Sequence, residues 1–411
     1  MANARNTAKV TGPSVRKMWA GHVERATIVM PDPELDDAVK RFEAISDLAE
    51  QMTLAQEIAR TRQGELTLAY DNVVTVASGF KTRCIDGNET LTRIASVVFI
   101  VRRKSISKRS ILQRIPSYLL TWRGSGVDRE LVAVPTDVQL AKRYSGVRPH
   151  GASGVFVDDG TGSGSGALAC LVELRSGSRR RRLAMSALHV LTVSVDADAD
   201  SLGNSAEITR RNSVAMPDGT PRMALSSPIG GRYVVGGGMS FDVQLAELTD
   251  RKAARNMLGD LPLAATEPFV ASSARLNQLV AANAAIEIMV PANHPAFIDD
   301  DRPRMSATWT GSMESSFAIP YVLKTGGRFV KTPLHHAELI RLQPLGGQVT
   351  LEGDSGCAVV CWLDDDNCTL LGMLIAGDAE FSYAIPAWQL FDRKNYFGSL
   401  DAVTSIRPVR A

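Results

Sequence analysis

Serine is a poor nucleophile at neutral pH. It performs acyl transfer only when a base lies within hydrogen-bond reach and a carboxylate orients that base. Residues 352–356 read Glu352-Gly353-Asp354-Ser355-Gly356. Ser355 is the candidate nucleophile. Gly353 carries no Cβ and lets the chain turn tightly, so its N–H and that of Ser355 can converge on a developing oxyanion. Gly356 leaves room for substrate beside the hydroxyl. The candidate base is His189, which ends the β-like run Ala184-Met185-Ser186-Ala187-Leu188-His189-Val190. The candidate orienting group is Asp242, at the head of the apolar run Ser240-Phe241-Asp242-Val243-Gln244-Leu245-Ala246. Its role would be to hold the imidazole tautomer and stabilise the imidazolium. Asp250, Asp196, Asp198 and Asp200 compete for that role, but none opens an apolar strand as cleanly.

Chain order excludes one rival chemistry. All six histidines (His22, His150, His189, His294, His335 and His336) precede Ser355. Hydrolases that present their serine on a strand-to-helix elbow carry the histidine after it. The second residue beyond Ser355 is Cys357, so the Gly-x-Ser-x-Gly elbow is absent as well. No metal or cofactor is expected. His335-His336 has no cysteine or carboxylate at zinc-ligand spacing. Cys361 and Cys368 flank the turn-like Leu363-Asp364-Asp365-Asp366-Asn367 and could face each other, although free buried thiols fit better.

Bulk properties narrow the setting. With 411 residues the chain has room for two or three domains. A formal net charge of +2 gives no global reason to expect nucleic acid or an anionic membrane. No run of about eighteen apolar residues could span a bilayer, and no secretory leader is evident. Five cysteines fit a reducing compartment, so the expected location is the cytoplasm. The basic runs Lys104 to Arg114 and Arg179-Arg180-Arg181-Arg182 invite a nucleic-acid reading. For the second run, a solvated hairpin turn after Gly177-Ser178 is the simpler one.

The elements that must position these groups fall into four stretches. Residues 1–65 comprise a polar arm to about 32 and then a helix. Asp32 can cap it, Pro33 suits its first position, and Leu35, Val39, Phe42, Ile45, Leu48, Met52, Ala55 and Ile58 make one apolar stripe over residues 33–62. That stripe either packs on its own domain or joins copies of the chain as a homo-oligomer. Residues 66–150 read as a small α+β module, with strands at Asn72–Gly79, Ile94–Val101 and Leu131–Pro135. Residues 151–392 alternate short strand-like runs with turns: Ala167–Leu174, Leu183–Leu191, Phe241–Leu248, Ala285–Val290 and Cys357–Leu363. That spacing predicts an all-β body large enough for two barrels. Residues 393–411 form a C-terminal tail.

At these motifs the chain resembles the trypsin-like (chymotrypsin-fold) serine peptidases. Ser186-Ala187-Leu188-His189, Phe241-Asp242-Val243-Gln244-Leu245 and Gly353-Asp354-Ser355-Gly356 resemble that family's three boxes, in its order. A closer resemblance is to the NARROW LEAF 1-like branch, whose barrels follow a short α+β module. It is carried by Val97-Val98-Phe99-Ile100-Val101-Arg102-Arg103-Lys104, Arg114-Ile115-Pro116, Val134-Pro135-Thr136-Asp137-Val138, Gly372-Met373-Leu374-Ile375-Ala376-Gly377 and Tyr383-Ala384-Ile385-Pro386. The resemblance implies a mainly β, two-barrel fold and a serine endopeptidase acting on protein or peptide. It also implies a substrate pocket with Val349 at its base and Ala376 and Gly377 along its wall, suited to a small or medium apolar side chain. The chain departs from the family at Cys357, where a second glycine is usual, and at Val190, where secreted members have a cysteine. No zymogen-type activation sequence is apparent. The competing reading from another class is a trypsin-like barrel used for binding, with weak or no turnover.

Overall fold

The computed structural model describes residues 32–70, 72–85, 88–102, 115–140, 148–149, 155–156, 165–196, 207–210, 213–214, 223–235, 238–248, 261–290, 304–314, 316–325, 328–351, 353–396 and 403–409. The N-terminal arm to residue 31, the basic run Lys104 to Arg114, and Asp198, Asp200 and Asp250 lie outside the described residues. The chain divides into two compact units, residues 1–142 and 143–411.

In the first unit two helices, α1 (Asp32–Glu43) and α2 (Leu48–Ala69), cover a four-stranded sheet. The strands are β1 (Val73–Ile85), β2 (Asn88–Val101), β3 (Tyr118–Arg123) and β4 (Glu130–Leu140). β1 pairs β2 and β3 pairs β4 antiparallel, while β2 and β4 run parallel. The apolar stripe is not one helix, as its period predicts, but two. The chain breaks at residues 44–47, where the Asp47 carboxylate accepts from Ala49 N at 2.9 Å and Gln51 Nε2 donates to Ile45 O at 2.7 Å. A capping carboxylate satisfies orphan amides of a new helix start and so makes the break cheap. The stripe is consumed inside the unit. Phe42, Ile45, Leu54, Ile58 and Leu66 are buried with Val76, Val97, Phe99, Val132 and Val134 of the sheet.

The second unit is mainly β. Its strands are β5 (Arg148–Pro149), β6 (Cys170–Ser176), β7 (Arg179–Ser186), β8 (Met223–Arg232), β9 (Met239–Leu248), β10 (Ile286–Ile288), β11 (Met305–Met313), β12 (Phe317–Thr325), β13 (Arg328–His336), β14 (Leu339–Pro344), β15 (Ala358–Trp362), β16 (Cys368–Gly377), β17 (Ser382–Pro386) and β18 (Ser405–Pro408), besides shorter pairings. Six of them close a barrel. β10 pairs β15, β15 pairs β16, β16 pairs β17, β17 pairs β14, β14 pairs β11, and β11 returns to β10. Closure pairs each of these strands on both sides over most of its length. Alternate residues fill the interior: Ile288, Met305, Leu342, Val359, Leu370 and Leu374 are buried.

The other sheet of this unit runs β18–β6–β7–β9, with β8 also on β9 and β13 parallel to the start of β9. β12 and β13 form a long hairpin. Arg179 to Arg182 open β7 after the Gly177-Ser178 turn, and Gly177 takes φ +58°. Arg180 and Arg181 reach Glu173 and Glu247, so the basic run is a partly paired hairpin, as the turn residues predict. The tail is not wholly a tail: β18 adds an edge strand to β6. One closed six-stranded barrel beside a second, mostly antiparallel sheet makes this unit mainly β, consistent with the two-barrel fold expected from the strand spacing. Among the described residues no helix is long and apolar enough to cross a membrane.

Candidate active site

His189 stands one short turn past the end of β7. The predicted strand through Leu191 stops at Ser186, and residues 187–191 turn, with Val190 N and Leu191 N donating back to Ala187 O. The turn aims both the backbone and the ring of His189 at one carboxylate. His189 N donates to Asp242 Oδ1 at 2.9 Å, and His189 Nδ1 lies 2.6 Å from Asp242 Oδ2. Asp242 is fully buried in the middle of β9. Two further donors reach it: Tyr233 OH to Oδ1 at 2.8 Å and Tyr321 OH to Oδ2 at 2.7 Å. Each carboxylate oxygen thus accepts two hydrogen bonds.

The electrostatics follow from that shell. Burial alone would raise the Asp242 pKa. The adjoining His189 imidazole, its hydrogen bond, His336 and the Tyr321 hydroxyl outweigh burial and hold it well below the carboxylate range. Burial, then the Asp242 charge, push both tyrosines well above 10, so they remain donors. His336 packs its ring 5.6 Å from that of Tyr321 and is almost fully buried. Neither of its ring nitrogens has a hydrogen-bond partner among the described residues. Burial lowers its pKa to about 4, which keeps it neutral at neutral pH.

Ser355 lies in the turn between β14 and β15, held by backbone contacts. Gly353 takes φ +118° and Gly356 φ +91°, conformations that residues with a Cβ rarely adopt. Asp354 N donates to Leu351 O at 3.1 Å, and Asp354 Oδ2 accepts from Leu351 N at 2.7 Å. Gly356 N bonds Leu374 O at 2.8 Å, and Leu374 N bonds Cys357 O at 2.9 Å. A β-bulge in β16 at Ile375 shifts its register against β17. The Ile375 carbonyl accepts the Ser355 hydroxyl at 3.1 Å. Bulges of this kind re-aim groups beside active sites. Ser355 itself is fully buried.

Ala167 joins the two halves. Its N–H donates to Ser355 O at 2.7 Å, and its carbonyl accepts from Ser186 Oγ at 2.7 Å. Ser186 stands three residues before His189. A Cβ on Gly356 would lie 2.0 Å from Ala167 O and 2.8 Å from Ser186 Oγ, so glycine is required by space as well as by φ. The reason differs from the sequence reading, which kept that room for substrate.

Around the expected pocket residues the structure shows one link. Thr350 Oγ1 and Ser382 Oγ are 2.8 Å apart, and Ser382 is the register partner of Gly377. Val349, next to Thr350 in the chain, is half-buried, and Ala376 and Gly377 are buried. Cys357 is a buried free thiol whose pKa is driven well above its ordinary value by burial, then by Asp354, which makes it a poor nucleophile. Cys361 faces Thr369 and Cys368 faces Trp362, so the two thiols are offset by one residue, and both are free. His335 bonds Ser316 Oγ, and no group of metal-ligating side chains is found among the described residues.

The sequence does not point to Tyr233, Tyr321 or Ala167, and it offers His336 only as half of a His-His pair without metal-ligand spacing. Nothing local marks them. Tyr321 lies 79 residues from Asp242 and meets it only through the hairpin that carries it.

No protein-family profile and no curated protein matches the chain. Among solved structures it is similar to the NS6 protease from murine norovirus 1, at 14% identity over 52% of this chain and 88% of that one, with a TM-score of 0.22. It is also similar to kallikrein-related peptidase 10 in complex with Zn2+, at 13% identity over 55% and 93% of the two chains, with a TM-score of 0.25.

Proposed function

We propose that this chain is a serine endopeptidase of trypsin-like fold, cutting protein or peptide through an acyl-enzyme. The observation that carries the reading is the His189–Asp242 pair: a buried ionised carboxylate bonded to both the amide and Nδ1 of a histidine. With Nδ1–H committed to Asp242, Nε2 is the basic nitrogen, the tautomer that accepts a serine proton. The Ser355 hydroxyl turns from Ile375 O toward Nε2, and its oxygen attacks the scissile carbonyl. Asp242 stabilises the imidazolium that forms. The amides of Gly353 and Ser355 donate to the oxyanion. His189 then protonates the leaving amine, and water releases the acyl group by the same steps in reverse.

Several finer points stand as parts of the proposal. Val349, Ala376 and Gly377 would form an apolar pocket for a small or medium side chain. Kinship with the NARROW LEAF 1-like branch rests on the motifs quoted above, and a cytoplasmic location on the sparse cysteines. The test is peptide-library cleavage by the full chain beside Ser355→Ala. Cleavage by the first alone is expected; equal cleavage by both, or none by either, contradicts the reading.

The second reading, a binding barrel with little turnover, is favoured by one observation: Ser355 is buried and its proton is bonded to Ile375 O. It predicts that Ser355→Ala keeps full biological activity.

A further inference from the structure

The strand β5 lies on an edge of the candidate site itself. β16 has two sides. Along one, β17 pairs it to its end, with Ala376 opposite Tyr383 and Gly377 opposite Ser382. Along the other, β15 reaches only to Met373, opposite Ala358, and the nucleophile turn then takes Leu374. Past that point the free side is occupied by Arg148 and Pro149, antiparallel, with Arg148 opposite Gly377 and Pro149 opposite Ala376.

The direction of this segment matters. From Arg148 to Pro149 the chain runs from Gly377 toward Ile375, the residue whose carbonyl holds the Ser355 hydroxyl. The acyl group on a serine is the N-terminal piece of the cut peptide. A peptide bringing its carbonyl to Ser355 along this edge must therefore run the same way.

We propose that Arg148–Pro149 is a resident occupant of the peptide-binding edge at Ala376–Gly377, a competitor in cis that slows turnover and that a substrate must displace. The functional sense of this rests on Ser355 being the nucleophile; the occupancy rests on the strand pairing alone. The grip is short. Two residues pair, and Pro149 has no N–H to give the ladder. A longer extended peptide, adding more main-chain hydrogen bonds, can replace it. A tethered occupant nonetheless competes at an effective concentration on the order of millimolar.

The experiment measures binding, not turnover. A fluorescent heptapeptide amide with the sequence of residues 143–149 is titrated into two full-length chains, both carrying Ser355→Ala. In one, residues 145–152 are replaced by a glycine-serine linker of the same length. Fluorescence anisotropy is expected to show at least about tenfold tighter binding to the replaced chain. Equal affinities, or no binding to the replaced chain, overturn the proposal. Should the replaced chain not fold, amide hydrogen exchange is read on the unaltered one. Joint protection of the Ala376–Gly377 and Arg148 segments is expected, and exchange of Arg148 at the rate of an unstructured peptide overturns it. A chain that binds the peptide but fails to cleave libraries would leave this inference standing and remove the endopeptidase reading.

Discussion

The two halves of the candidate site are held by opposite means. The Asp242 half is held by side chains. Four donors from His189, Tyr233 and Tyr321 converge on one carboxylate, and they come from a turn after β7, from the segment between β8 and β9, and from β12. The Ser355 half is held mainly by main chain, the Asp354 carboxylate on Leu351 N being the exception. Its contacts are the amides and carbonyls of Ala167, Leu351, Leu374 and Cys357, with two glycines at positive φ. A side-chain shell sets charge and tautomer but tolerates the loss of one member. A main-chain turn sets position and tolerates no added atom.

That difference can be broken in order of effect. Replacing Asp242 by Asn keeps the shape but leaves the wrong tautomer of His189, and kcat is expected to fall by about 10⁴. A fall below about tenfold would mean that the shell does not orient the base. Next is Gly356→Ala. Its methyl would meet the Ala167 carbonyl and demand φ +91°, so cleavage should be lost together with a drop of roughly 2–4 kcal/mol in urea-unfolding stability. Unchanged stability would show that the turn is not held as described. Third come Tyr321→Phe and Tyr233→Phe. Each removes one donor from a buried carboxylate that keeps three, with an expected cost of about 1–3 kcal/mol in stability and a larger change in kcat than in KM. Equal effects on KM and kcat would argue for a merely structural role.

The last effect, confined to acid pH and to stability rather than turnover, is in pH dependence. The folded pKa of His336, about 4, lies below its ordinary 6.5. The unfolded chain therefore takes up the proton first as pH falls. The contribution of His336 is fully present above about 6.5, is lost between about 6.5 and 4, and does not change further below that. The loss is on the order of 3 kcal/mol. The groups facing the ring are Asp242, His189 and His335. A His336→Phe chain should show a flatter stability profile in that window by denaturant titration, and an unaltered slope would refute the assignment.

The same contrast explains what could be read from the chain alone. The main-chain half was legible because it is local: Gly353, Ser355 and Gly356 carry their own geometry in five consecutive residues. His189 and Asp242 were found by type, order and the apolar runs beside them. Tyr233 and Tyr321 were not, because their hydroxyls meet Asp242 only after β8, β9 and β12 are folded against one another. The same holds for Ala167, whose role is a backbone bond that any residue could make, and for β5 and β18, short strands recruited by existing edges. The helix break was in principle readable. Asp47 is a good cap, but the stripe continues through it because Ile45 stays buried across the turn. A chain beginning at Leu66 would lose Phe42, Ile45, Met52, Leu54 and Ile58 from the core of the first unit, so unfolding of that unit is the expected outcome, whatever the oligomeric state.

The most direct measurement is labelling of the full-length chain with a fluorophosphonate, followed by peptide mass spectrometry. One adduct on Ser355 is expected, absent in Ser355→Ala and formed at least about a hundredfold more slowly in His189→Ala. No adduct even after residues 145–152 are replaced by the glycine-serine linker, or an adduct that persists in Ser355→Ala, would contradict the assignment of Ser355 as a nucleophile activated by His189.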